Sequence, residues 1–221
     1  MGHIATGLRI GDDPVTPEFL VGTALPDLAA MARTRLGAAD GALGDGIAIH
    51  HATDQAFHRD AWFLDFEREL RALLREDGLP DGAARACAHV GPELLLDGAL
   101  LDDPAVANGV RTVFGEIAAP DDDTVDLAPD GQQDQWRAHL VGVATRLDPF
   151  TYRDAAVVAQ RLHTITSRRP RLAFDADLVG AIRARMVSVQ PRIVSSATDV
   201  LDRVVGAVAG TRPRRNITLG K

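Results

Sequence analysis

The chain has 221 residues, 46 % of them hydrophobic, a formal net charge of −7 and one cysteine, Cys87. That length supplies a core for one large domain, and a single cysteine excludes an internal disulfide framework and a cysteine-based zinc site. The negative balance argues against phosphate-backbone binding, so no nucleic acid partner is expected. There is also no run of about eighteen apolar residues and no basic-then-apolar leader, so no membrane partner is expected and a cytoplasmic location is.

The pattern is helical nearly throughout. After a short apolar segment containing His3, Thr16-Pro17-Glu18 reads as an N-cap followed by proline at the first helical position. The helix it opens is expected to reach Leu36, with a kink near Pro26. Asp45 reads as the cap of the next helix, and Asp60 as the cap of its successor, which should end at Gly78 and Pro80. Asp81 opens a helix through Pro92 to about Leu101, and Asp103-Pro104 repeats the cap-plus-proline signature for a helix to about Ile117. Residues 118–134 are acidic and proline-containing and read as a long loop. Helices are expected at about 135–146, 152–168 and 175–208, the last interrupted by Pro191. No two-residue alternation and no internal repeat occurs. The expected fold is therefore all-α, a single-domain helical bundle over residues 1–210, with residues 211–221 as a basic, solvated tail.

Three of the seven histidines fall in the stretch G-I-A-I-H-H-A-T-D-Q-A-F-H-R-D that begins at Gly46. At about 100° per residue, His50, His51, Asp54 and His58 share one arc of a helix, bordered by Ile47 and Phe57. Ionisable groups turned inward need a partner, and neutral imidazole with carboxylate is the donor set of Mn, Fe, Ni or Zn sites. Histidines bonded to neighbouring carbonyls would satisfy the same spacing without an ion. A second helix repeats the pattern: His89, Glu93 and Asp97 lie at i, i+4 and i+8, with Pro92 between them and Leu94, Leu95 and Leu96 available for packing. His139 and His163, which lack acidic company at i±4, read as structural.

Three segments carry a family resemblance. Gly22-Thr-Ala-Leu-Pro-Asp27-Leu is similar to a glycine-to-L-x-D-F stretch, and Gly46-Ile-Ala-Ile-His50-His51-Ala-Thr-Asp54 to G-I-x-x-H-R-x-I-D. Ser167-Arg168-Arg169-Pro170-Arg171-Leu172 matches almost letter for letter. In order and spacing over about residues 1–205, the chain resembles the bacterial acyl carrier protein phosphodiesterases, helical metal-dependent hydrolases related to the HD-domain phosphohydrolases. It departs from them where their opening H-x-H pair becomes Thr6-Gly7-Leu8, leaving His3 one turn earlier as a substitute. Their arginine becomes His51, their T-D carboxylate becomes His58, and their D-x-x-x-D-H becomes His89-x-x-x-Glu93-Leu94. These exchanges favour a more nitrogen-rich site.

The resemblance implies an HD-domain-like fold and release of 4′-phosphopantetheine from acyl carrier protein by water attack on phosphorus. By residue-to-residue carry-over it implies His50, Asp54 and Asp27 as core metal ligands. Glu93 and His89 would be further ligands or groups that orient them, and Arg168 and Arg169 would clamp the non-bridging oxygens. Partners expected on this basis are acyl carrier protein or a small phosphoester. Two other readings stay open: an HD-like hydrolase of another phosphoester such as a nucleotide, and a helical protein that binds a metal or ligand without turnover. Asp27 could simply cap a resumed helix after Pro26, and Arg168 and Arg169 could serve a helix C-terminus.

Overall fold

The computed structural model describes residues 1–11 and 14–211, which form ten α-helices and no strand. In chain order they are α1 (Gly2–Ile10), α2 (Pro17–Ala32), α3 (Gly41–Phe57), α4 (Ala61–Glu76), α5 (Asp81–Leu100), α6 (Pro104–Ala118), α7 (Asp122–Val125), α8 (Gln133–Arg146), α9 (Ala155–Ser167) and α10 (Val179–Thr211). The described residues form an all-α, single-domain bundle with one hydrophobic core, fed most heavily by α2, α5, α6 and α10, whereas α3 adds only Ile49 to its fully buried part. No helix among the described residues is long and apolar enough to cross a membrane. The basic tail beyond Thr211 lies outside the described residues.

Local signals set most boundaries. The Thr16 hydroxyl accepts from the Phe19 amide at 3.3 Å with Pro17 at the first helical position, and the carboxylates of Asp60 and Asp103 accept from Trp62 and Ala105 at 3.0 and 2.8 Å. α2 stops at Ala32 rather than Leu36, because Arg33 takes a left-handed conformation (φ 57°) and the Thr34 amide folds back onto the Ala29 carbonyl. α3 starts at Gly41, so Asp45 lies inside the helix instead of capping it. The 118–134 stretch is not wholly loop. The Asp121 carboxylate caps α7, and Thr124, Val125, Leu127 and Ala128 are buried beneath the acidic residues, with Trp136 Nε1 donating to the Thr124 carbonyl. The helix expected over 152–168 is split: a 3-10 turn occupies Pro149–Arg153, and Asp154 caps α9 through the Ala156 amide.

α2 and α3 cross backbone to backbone. A Cβ placed on Gly46 would strike the Phe19 carbonyl oxygen, and one on Gly22 would strike the Leu43 carbonyl oxygen. The two glycines thus let the helices approach closer than any side chain would allow. This contact draws the Thr23 carbonyl to within 2.9 Å of His50 Nδ1. α5 is the most enclosed long helix, with Ala83, Ala84, Cys87, Ala88 and Leu95 at 0–1 % exposure, and it packs against α4, α9 and α10.

α10 lies along α4 in an antiparallel register fixed by three two-pronged arginine pairs: Arg185 on Asp77, Arg192 on Glu69 and Arg203 on Asp60, each with contacts of 2.7–3.0 Å. These pairs lie at the surface and add little stability individually, but their fork geometry fixes which turn of α10 meets which turn of α4. Arg192 also covers the Phe66 ring at 4.4 Å.

Gly46→Ala is expected to destabilise the chain by about 1–3 kcal/mol, because the added methyl must force α2 and α3 apart. Denaturant titration measures this, and an unchanged midpoint would show that the crossing tolerates a side chain. Asp60→Ala removes both the α4 cap and the Arg203 partner, at a cost of about 2 kcal/mol at neutral pH. Arg203 holds the Asp60 carboxyl below its ordinary value. Its contribution is therefore complete above about pH 4 and is lost as pH falls through the folded value. The stability gap between parent and variant should close in acid.

Candidate metal centre

A cavity of about 130 Å³ opens between α1, α2, α3, α5 and α10. One wall is polar: His3 from α1, Asp27 from α2, Asp54 and His58 from α3, and Glu93 and Asp97 from α5. The opposite wall is apolar, built from Phe57, Leu96, Val200, Leu201 and Val204. No arginine or lysine lines it. The i, i+4 spacing on α3 and α5 presents these carboxylates and imidazoles to one space.

The first group forms the cavity floor: His3 and Asp27 line it, and His50, which does not, packs against both. His50 is 5 % exposed, and its Nδ1 is 2.9 Å from the Thr23 carbonyl. A carbonyl only accepts, so Nδ1 carries the proton and Nε2 presents a lone pair. That Nε2 faces Asp27 Oδ1 at 3.9 Å. His3 stacks on His50 with centroids 3.9 Å apart, and its Nε2 lies 3.8 Å from Asp27 Oδ2. Burial holds the His3 imidazole well below its ordinary pKa, with the His50 charge adding to the effect. Burial also lowers His50, against the pull of Asp27. Both rings are thus neutral at pH 7, the form that ligates metals. Crowding raises the Asp27 carboxyl, His50 opposes the rise, and Asp97 and Asp54 reinforce it. The Asp27 side chain is 64 % exposed toward the cavity mouth, so water there moderates the effect of crowding. His3 Nδ1 is buried without a hydrogen-bond partner, as are the hydroxyls of Thr6 and Thr53 on the same cavity.

The second group joins the end of α3 to α5. His58 Nδ1 lies 2.9 Å from the Asp54 carbonyl and 3.2 Å from Asp54 Oδ1, and its Nε2 lies 3.1 Å from Glu93 Oε1. His89 Nε2 approaches the same Glu93 oxygen at 3.4 Å, while its Nδ1 faces Glu67 Oε1 at 3.4 Å. The Glu93 hydrogen bond pushes His58 up to about 9 against the opposing effect of burial. Without an ion His58 is therefore an imidazolium that donates from both nitrogens. In each of the two groups, His3/Asp27/His50 and His58/His89/Glu93, the ligand atoms lie within 4.8 Å of one another, and either group could hold a metal ion.

The residues expected from sequence thus divide into two sets of three rather than one shared centre, with Asp54 bonded to His58 between them. His51 is exposed and belongs to neither set; it meets His50 only edge-on, at 5.4 Å. Arg168 and Arg169 are not brought to the cavity. Both are exposed in the turn after α9, and neighbouring Arg171 packs beside Gly82 at the start of α5. Gly82 lies eleven residues from Glu93, or roughly 16 Å along the helix. Glu67 was absent from the sequence expectation because it sits on a charged face of α4 with no motif around it. Asp97 was visible only as the third member of the α5 spacing, and its Oδ1 accepts from the Gly2 amide at 2.9 Å.

In the metal-free protein, NMR titration of His58 should give a pKa near 9, falling toward about 6.5 in Glu93→Gln. A raised folded-state pKa adds stability that is complete below about pH 6.5 and fades as pH rises through about 9. Metal-free protein should accordingly weaken over that window, and Glu93→Gln should flatten the dependence. Compared with protein-family models, curated proteins and solved structures, the chain matches none.

Proposed function

We propose that this chain is a metal-dependent phosphodiester hydrolase whose ion is held by the Nε2 atoms of His3 and His50 and the carboxylate of Asp27. The observation that carries the reading is the cavity floor: two neutral imidazoles and a carboxylate converge there, and one ring is locked by a backbone carbonyl. The resemblance to acyl carrier protein phosphodiesterases supports the reaction class. A cavity of about 130 Å³ fits the phosphodiester end of a substrate better than a whole nucleotide.

A divalent ion bound there supplies Lewis acidity toward a phosphoryl oxygen and makes bound water acidic near neutral pH. Asp54, whose carboxylate lines the cavity, accepts the proton of the attacking water. The water oxygen bonds to phosphorus as the P–O bond to the leaving alcohol breaks, and that alkoxide takes up a proton. Leu96, Val200 and Val204 keep bulk water from the reacting centre.

Protein purified without tag or chelator is expected to carry metal, and His50→Ala and Asp27→Ala to lose the equivalent bound at the floor. Turnover of bis(4-nitrophenyl) phosphate should fall at least about 100-fold in both variants, and holo acyl carrier protein is the next substrate to assay. A parent protein that holds no metal after incubation with Mn, Fe, Ni or Zn would sink the proposal.

A further inference from the structure

We propose that His58, His89 and Glu93 form a second divalent-metal site of tetrahedral type, with its open position toward the cavity, so that the chain holds two ions. The binding claim stands on this group alone; its part in hydrolysis rests on the function proposed above.

The geometry points to an ion rather than to a chance cluster. Zinc with ligand bonds of about 2.0–2.2 Å has neighbouring ligand atoms roughly 3.3–3.5 Å apart. His58 Nε2 and His89 Nε2 lie 3.1 and 3.4 Å from the same Glu93 oxygen. The floor group is looser, at 3.8 and 3.9 Å. Each ring is also held from behind, as ligating histidines are: Nδ1 of His58 faces the Asp54 carbonyl and carboxylate, and Nδ1 of His89 faces the Glu67 carboxylate. Such partners keep the proton on Nδ1 and leave the Nε2 lone pair for the metal. The two imidazoles stack at 4.9 Å and 18°, and the fully buried Phe63 meets both edge-on, so their orientation is set before an ion arrives.

Charge balance supports the same conclusion. Asp54, Glu67 and Glu93 surround the two imidazoles, three carboxylates against which a divalent ion would supply more charge than the single proton that His58 holds without it. Asp27, Asp54, Glu93 and Asp97 together line the cavity. The Met1 ammonium already offsets Asp97 at 2.9 Å, and an ion at each group would offset the other three carboxylates. His58 and Glu93 line the cavity whereas His89 does not, which puts the unfilled coordination position on the cavity side. Two histidines and one carboxylate with one open position form a donor set that catalytic zinc accepts.

The full chain, stripped of metal with a chelator that is then removed, is titrated with zinc chloride by calorimetry and checked by elemental analysis. Two equivalents are expected in the parent, one in His89→Gln, one in Glu93→Gln, one in His50→Ala, and none in the His50→Ala, His89→Gln double variant. Cobalt(II) gives an independent readout: the intense visible absorption of tetrahedral ions should lose one site's share in His89→Gln and the other's in His50→Ala, and vanish in the double variant. Glu67→Gln should weaken this site about 10- to 100-fold at unchanged stoichiometry, a control that removes no ligand. His89 is 40 % exposed, so its loss leaves the core intact. One equivalent in the parent that His50→Ala abolishes and His89→Gln leaves untouched overturns the second site while sparing the floor site. One equivalent that His89→Gln abolishes and His50→Ala leaves untouched does the reverse.

Discussion

The bare crossing of α2 over α3 at Gly22 and Gly46 is the constraint on which the cavity depends. Helices normally meet through side chains at 8–10 Å between axes; here backbone meets backbone, and a Cβ at either glycine would collide with a carbonyl oxygen of the other helix. That approach puts the Thr23 carbonyl 2.9 Å from His50 Nδ1. A buried imidazole whose donor is satisfied in this way has one tautomer and one orientation, and its free nitrogen faces Asp27. Separating the helices by the width of a methyl group would break that bond. The ring would then be free to turn, and the floor would lose its fixed ligand. Packing and chemistry are therefore set by the same two residues.

The opposite wall depends on a different device. Arg185, Arg192 and Arg203 fix the register of α10 on α4, and that register brings Val200, Leu201 and Val204 over the carboxylates. A slip of one turn, about 5.4 Å, would place other residues there. An apolar wall beside a polar one lowers the local dielectric, so each carboxylate acts more strongly on whatever cation enters. The same surface ion pairs that contribute little to stability thus decide the electrical character of a cavity on the other side of the helix.

The helices were legible in the sequence because their signals are local. Thr16-Pro17, Asp60 and Asp103-Pro104 each satisfy an amide within three residues, and the chain needs no distant partner to form those caps. The start of α3 was not legible: Asp40 makes no side-chain cap, and Gly41 begins the helix at φ +64°, so nothing in the letters marks the boundary. In the site, the α3 and α5 spacings identified His50, Asp54, His58, His89 and Glu93, since i, i+4 periodicity dictates which side chains share a face. It could not say that His3 stacks on His50 across α1 and α3, or that His58 turns away from His50 toward α5. Those are long-range contacts. Arg168 and Arg169 show the converse: they sit in an exposed turn near the start of α5, because a run of arginines carries no information about which way its turn faces.

The two groups differ in what fills them before any metal arrives. On the floor, burial disfavours the imidazolium, so His3 and His50 wait as neutral rings and an incoming ion displaces no proton from them. In the second group Glu93 holds a proton on His58, and an ion must displace it there. An ion at the second group would therefore compete with that proton and be favoured as pH rises, whereas one at the floor would meet neutral rings. Asp27, Asp54, Glu93 and Asp97 line the cavity, and only the Met1 ammonium, 2.9 Å from Asp97 Oδ1, and the His58 imidazolium stand beside them as cations in its lining. The four carboxylates gathered on one wall therefore favour a cation over an anion as the occupant of this cavity.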